Sequence, residues 1–222
     1  MLKLIETYYP MLLGALGETL KLTFFSLCFA LVIGLVFGLM NVGKNRAFNL
    51  IGTIYVDAVR GVPLIVLAFW IYFGIPDGLR ALGVPNFRFS TIQAGTVALA
   101  MNCGAYMAEI IRAGIESVDK GQMEASRSLG LSYVKGMRLV VLPQAIRTMI
   151  PSIINQFIIT LKDTSILSVI GYAELTNVGK TMGANSLQLM ESWTIVGFTY
   201  MIVIVTLSKI SKQVERRVNR GR

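Results

Sequence analysis

Residues 22–40 form a run of nineteen with no charged side chain. As a helix they would be about 28 Å long, close to the ~30 Å hydrocarbon core of a bilayer. The run exceeds the 7–15 apolar residues typical of a secretory signal, and no small-residue cleavage site follows it, so it reads as a retained helix. Four more apolar spans follow, at about 63–76, 91–111, 145–161 and 193–210. Pro63 suits a helix start, because its missing N–H would be unpaired there in any case. A shorter piece, 166–171, is too brief to cross and reads as re-entrant or loop structure. The expectation is an all-α membrane protein of about five transmembrane helices, with residues 1–222 as a single domain.

Composition agrees. Of 222 residues, 15% are charged and 54% hydrophobic, against about 25% charged in soluble domains. Histidine is absent, which removes imidazole acid–base chemistry, His–metal sites and Ser-His-Asp triads. Cys28 and Cys103 lie in apolar runs and supply neither a disulfide framework nor a four-ligand zinc site. The eleven methionines read as apolar filler, since a soft-metal path needs clustered ligands.

Five spans put the termini on opposite sides, and Lys/Arg placement selects the orientation. With the C-terminus inside, the inner segments hold Lys44, Arg46, Arg60, Arg112, Lys120, Arg127, Lys135, Arg138 and Arg147, and the tail adds six more. The outer side keeps six: Lys3, Lys21, Arg80, Arg88, Lys162 and Lys180. Fifteen against six puts the N-terminus outside and the C-terminus in the cytoplasm. The net charge of +9 and the basic tail at 211–222 then report topology and contact with anionic lipid, about 1 kcal/mol per residue. Nucleic acid is not expected as a partner.

Residues 112–143 link spans three and four on the cytoplasmic side. They contain Glu124-Ala125-Ser126-Arg127-Ser128-Leu129-Gly130, nine further residues, and Val140-Val141-Leu142-Pro143. Gly130 can take the left-handed conformation that ends one helix, and Ser132 can cap the next. Glu124, Arg127, Lys135 and Arg138 keep the segment in water, while Met123, Leu129 and Leu131 form a small apolar knob. An ordinary amphipathic connector would share that composition.

The spacing, however, resembles the EAA loop of ATP-binding-cassette importer permeases, with Ser126 replacing the usual second alanine. Asp57-Ala58-Val59-Arg60-Gly61-Val62-Pro63, Asn102-Cys103-Gly104-Ala105-Tyr106-Met107-Ala108-Glu109 and Leu161-Lys162-Asp163-Thr164-Ser165 look like the polar amino acid permeases of that class. The likeness covers roughly residues 10–210. It implies a membrane subunit in a prokaryotic cytoplasmic membrane, carrying a polar amino acid. A second permease chain, a cytoplasmic ATPase and an extracytoplasmic substrate-binding protein would be its partners. Glu124, Ala125, Ser126, Leu129, Gly130 and Leu131 would sit in a groove of the ATPase as a coupling helix. ATP and magnesium would bind that ATPase, leaving this chain without cofactor, metal or covalent chemistry. Two near-misses to a phosphate loop agree. Gly38-x4-Gly43-Lys44 is followed by Asn45 where Ser or Thr should hold magnesium, and Gly179-Lys180-Thr181 has Glu174 in place of the first glycine.

Span three places Gly95, Ala98, Asn102, Tyr106 and Glu109 on one stripe about 80° wide. A polar stripe of this kind faces protein or water. Asn102, Tyr106 and Glu109 are therefore candidates for the substrate path, while a Glu109–Arg112 pair one turn apart is the structural alternative. In span four, Pro151 removes the hydrogen bond to the carbonyl of Arg147, and Asn155 and Gln156 follow one turn later. Irregular backbone at membrane depth is tolerated where it lines a cavity, so Asn155 joins the candidates. At the outer end, Lys162, Asp163, Thr164 and Ser165 are assigned to the site or its gate. Ala30, Gly34 and Gly38 read as a strip for close helix packing. A secondary transporter driven by an ion gradient is the rival reading; it would need an inverted repeat or broken helices with a carboxylate relay. ATP dependence separates the two.

Overall fold

The computed structural model describes residues 1–43 and 45–219; Lys44, Arg220 and Arg222 of the charge tally lie outside them. Among the described residues all regular structure is helical. Five stretches are long and apolar enough to cross a membrane: Leu2–Val42, Leu64–Ala81, Thr91–Glu116, Tyr133–Ile170 and Leu189–Gln213.

Helix α1 (Leu2–Val42) has 41 residues, about 61 Å of helix and so about twice the hydrocarbon thickness. Its first twenty residues, outside the span expected from hydropathy, hold together because one face is covered. Leu4, Leu12 and Ala15 pack with Leu175, Val178, Met182, Ile195 and Val196. Its second half runs alongside α5 (Thr91–Glu116), which starts in a reciprocal capping box between Ser90 and Gln93. Ala30, Gly34 and Gly38 are buried. A methyl group on Gly38 would lie 2.9 Å from the Ala108 carbonyl oxygen and 2.9 Å from Ile111 Cβ, so the strip exists because the backbones nearly touch.

Residues 46–61, counted with the loops by charge, form helix α2 (Arg46–Gly61), capped by Asn45. Gly52, Val56 and Val59 are its buried positions. Tyr55 reaches across to donate a hydrogen bond to the Met101 carbonyl at 2.8 Å and stacks on Phe37 at 3.9 Å. Pro63 then breaks the rod, sitting as the cap of α3 (Leu64–Phe69). A π-helical turn, Trp70–Gly74, carries α3 into α4 (Ile75–Ala81).

Past α5 the chain forms a hairpin of two short helices, α6 (Lys120–Ser128) and α7 (Tyr133–Gly136). Gly130 adopts φ +82° between them, and the Ser132 hydroxyl accepts from the Lys135 N–H, as the composition of the loop predicts. A π-helical turn, Met137–Val141, leads into α8 (Leu142–Asp163). Residues 166–171 do not cross on their own. They belong to a 3₁₀ segment, Thr164–Ile170, that prolongs α8 to a left-handed Gly171, with Leu167 and Ile170 in the main core.

Helices α9 (Leu175–Ser186) and α10 (Leu189–Asn219) complete the chain. Glu174 is fully buried and caps α9, accepting the Thr176 and Asn177 N–H groups at 2.8 Å and the Tyr200 hydroxyl at 2.7 Å. Burial pushes its carboxyl above the usual range, against the pull of those donors. One side chain thus starts α9 and ties it to α10.

Candidate functional site

A cavity of about 500 Å³ opens beside the Pro63 break. The α2–α3 corner supplies Arg60, Gly61, Val62, Pro63 and Leu64; α5 supplies Asn102 and Tyr106; α8 and its 3₁₀ extension supply Gln156, Ile159, Asp163 and Ile166. The phase of each helix explains the set. Positions 102 and 106 are one turn apart on α5, and 156, 159 and 163 follow an i, i+3, i+7 row on α8. The break matters equally, because a continuous α2–α3 rod would present side chains alone at this point, whereas Pro63 brings backbone into the wall.

The wall mixes polar with apolar side chains and carries both signs of charge. Asn102 and Gln156 are buried, Asp163 is half-buried, and the Arg60 guanidinium lies over the Tyr106 ring, 5.0 Å from its centroid. Such a contact holds a cation in place by the ring's negative face. One cation and one anion thus face the same cavity as two buried amides. They would be costly against lipid.

The residues expected from sequence divide accordingly. Asn102, Tyr106 and Asp163 come together in the cavity wall. Glu109 does not line it: both its oxygens take hydrogen bonds from Arg112, one at 3.1 Å from Nε, and Arg112 also reaches Glu116. The structural pairing alternative therefore describes that carboxylate. Asn155 is exposed while its neighbour Gln156 turns inward. Lys162 is exposed and absent from the wall. Thr164 is buried with its hydroxyl donating to the Leu161 carbonyl at 2.7 Å, and Ser165 is half-buried and absent from the wall.

Two positions need correction. Arg60, counted among the cytoplasmic charges, stands beside Asn102, halfway along α5. Asp163, assigned to the outer end of its span, faces the same mid-helix residues, because seven 3₁₀ residues follow before the chain turns. Sequence reading also missed Arg60 as a wall residue, and it noted Gln156 beside Asn155 but took only Asn155 as a candidate. The available signals were Pro63 three positions after Arg60 and the seven-residue interval from Gln156 to Asp163.

The α6–α7 hairpin forms a second feature. Ser126 is buried and its hydroxyl donates to the Met123 carbonyl at 2.7 Å; a methyl on Gly136 would lie 2.5 Å from the Ser126 Oγ. Serine in the alanine position therefore packs against glycine. The Leu131 N–H donates to the Ser126 carbonyl and the Arg127 guanidinium to the Leu131 carbonyl, both at 3.1 Å. Glu124, Ala125 and Leu129 are left facing out, with Leu129 83% exposed. On the hairpin's other face Met123 packs against Ile115 of α5, Val141 of the π turn, and Ala145 and Met149 of α8.

Five apolar spans, a broken helix beside a polar cavity and a polar-faced hairpin joining two spans define a helical membrane permease. Residues 30–220 match the family described as "Binding-protein-dependent transport system inner membrane component". The chain is 37% identical over 209 residues to the glutamine transport system permease protein GlnP of Escherichia coli (strain K12), covering 94% of this chain and 93% of that protein. It is 36% identical over 209 residues, with the same coverage, to the arginine transport system permease protein ArtQ of Bacillus subtilis (strain 168). A crystal structure of an amino acid ABC transporter with histidines superposes with a TM-score of 0.88 at 38% identity, covering 96% of each chain. The methionine ABC transporter MetNI in an inward-facing conformation shares the fold, with a TM-score of 0.77 at 23% identity over 96% of this chain and 98% of that one. This chain belongs to the family of binding-protein-dependent transport system inner membrane components, as a multi-pass permease subunit.

Proposed function

We propose that the whole of residues 1–222 works as one permease domain that imports a polar amino acid, two such chains enclosing the path. The observation that carries this reading is the Arg60–Asp163 pair of opposite charges facing one cavity at a helix break. Arg60, steadied on Tyr106, receives the substrate carboxylate, and Asp163 receives its ammonium. The buried amides of Asn102 and Gln156 hydrogen-bond the polar side chain. Asn155, Lys162 and Ser165 complete the path once the second permease chain is in place, while Thr164, bonded to the Leu161 carbonyl, and Glu109, bonded to Arg112, support the helices that carry it.

The hairpin around Glu124, Ala125, Ser126, Leu129, Gly130 and Leu131 docks in a cytoplasmic ATPase, which binds ATP and magnesium. Leu129 is its apolar contact. The N-terminus lies outside and the C-terminus in the cytoplasm, and an extracytoplasmic binding protein delivers substrate to the outer side. Relatives named for glutamine and arginine transport support cargo of this class.

The test is purification of the tagged chain from its native membrane, reconstitution, and uptake of labelled glutamine and arginine. ATP-dependent uptake with a co-purifying ATPase is expected. Arg60→Gln and Asp163→Asn should each weaken transport about tenfold or more while leaving ATPase assembly intact. A chain that arrives alone and moves amino acids on an ion gradient without ATP would establish the rival transporter, and unchanged uptake in both variants would overturn the assignment of the cavity.

A further inference from the structure

A second polar cavity, of about 200 Å³, lies at the end of the molecule that carries the 83–90 loop, between α4 and that loop. Tyr72, Phe73 and Phe89 form its aromatic side, and Arg80 and Arg88 face it with Asp77. Three observations make it more than a surface dent. Phe89 packs on the main core and Phe87 meets it edge-to-face at 5.0 Å, so the backbone that carries the exposed Arg88 is anchored beside the cavity through Phe89. Arg80 is fixed by a 3.1 Å ion pair to Asp77 one turn earlier on α4, whereas Arg88 has no ion-pair partner among the described residues. The rings and arginines sit at the end of a membrane span, at the level where aromatic side chains and basic groups meet headgroups.

We infer that this cavity binds the phosphodiester of an anionic phospholipid with an uncharged headgroup, of the phosphatidylglycerol type. Two arginines and one aspartate leave a net charge of +1, which matches the single negative charge of a phosphodiester. Guanidinium forks suit phosphate oxygens. The exposed Phe69, Trp70 and Phe73, on the adjoining turns, offer the acyl chains an apolar wall. A zwitterionic headgroup fits less well, because Asp77, the one carboxylate in the cavity, is already engaged by Arg80.

The experiment uses the full chain, purified with its co-purifying subunits, and counts retained lipid by native mass spectrometry after exchange into phosphatidylglycerol or phosphatidylcholine. Wild type should retain phosphatidylglycerol in preference. Arg80→Gln with Arg88→Gln should lower that affinity about thirtyfold, and Arg88→Gln alone, in an exposed loop, about fivefold. Arg46→Gln, also exposed but outside the cavity, should change nothing. Equal retention by the double variant, or equal retention of phosphatidylcholine, would overturn the proposal. So would competition by glycerol phosphate or inorganic phosphate at the same concentration, which would mark a site for free anions. An acidic segment of a docked protein that protects the two arginines in lipid-free detergent would do the same.

Discussion

Gly38→Ala tests whether the α1–α5 seam rests on backbone contact. The added methyl would sit 2.9 Å from the Ala108 carbonyl oxygen and from Ile111 Cβ. Neither atom is the far end of a flexible side chain, so relief requires moving a whole helix. Overpacking of this kind costs about 1–3 kcal/mol, and the rigid neighbours put it in the upper part of that range. Replacing glycine by alanine inside a helix returns about 1 kcal/mol of propensity. The net expectation is a loss of about 1–2 kcal/mol, or about 2–8 °C in unfolding temperature for a chain of this length. Gly14→Ala, on the same helix with nothing within 4 Å of its added methyl, is the matched control and should gain about 0.4–1 kcal/mol. Thermal unfolding in detergent, followed by tryptophan fluorescence from Trp70 and Trp193, reads both. If Gly38→Ala stabilises the chain as much as Gly14→Ala does, the two helices are not in backbone contact and the seam has been misjudged.

Gly130→Pro demands φ near −65° where the hairpin has +82°; it should leave the chain inserted while abolishing ATP-driven uptake, and normal uptake would remove the coupling assignment. Tyr55→Phe deletes the hydroxyl bonded to the Met101 carbonyl and should lower stability by about 1 kcal/mol, measured as an unfolding shift with the Phe37 stacking retained. Glu174→Ala removes a helix cap, worth about 1 kcal/mol, and takes the principal partner from the Tyr200 hydroxyl, worth about 1–3 kcal/mol more. Hydrogen exchange should then rise first in α9, and an unaltered α9 would show that the cap is dispensable.

The spans were legible because bilayer crossing leaves a coarse mark, a long run without charge. The hairpin was legible for a different reason: Gly130 and Ser132 are residues whose conformational uses are few. Where reading failed, the information was tertiary. The first twenty residues of α1 carry Lys3, Glu6, Glu18 and Lys21, which break the hydropathy run, yet they are helical because α9 and α10 cover one face. Arg60 was counted with the cytoplasmic charges because it falls outside the apolar spans, but the bend at Pro63 brings it to the cavity that Asn102 lines. Asn155 and Gln156 differ by one position, 100° around the helix, and only the packing of α8 decides which amide turns inward. Asp163 likewise seemed terminal because the 3₁₀ continuation, made of short-range bonds, has no periodicity that hydropathy can detect.

The α6–α7 hairpin joins two members of unequal stiffness. On one side α5 is seamed to α1 along Gly34, Gly38, Gly104 and Ala108, so the pair bends as a single beam. On the other, α8 begins in a π turn and contains Pro151, which removes one backbone bond from the rod. A load applied at Leu129 would therefore meet more resistance on the α5 side than on the α8 side. The row Gln156–Asp163 lies beyond the compliant point, while Asn102 and Tyr106 ride on the rigid member. Displacement of the hairpin would then shear one wall of the cavity past the other, with Arg60 staying with the α5 wall through its contact with Tyr106.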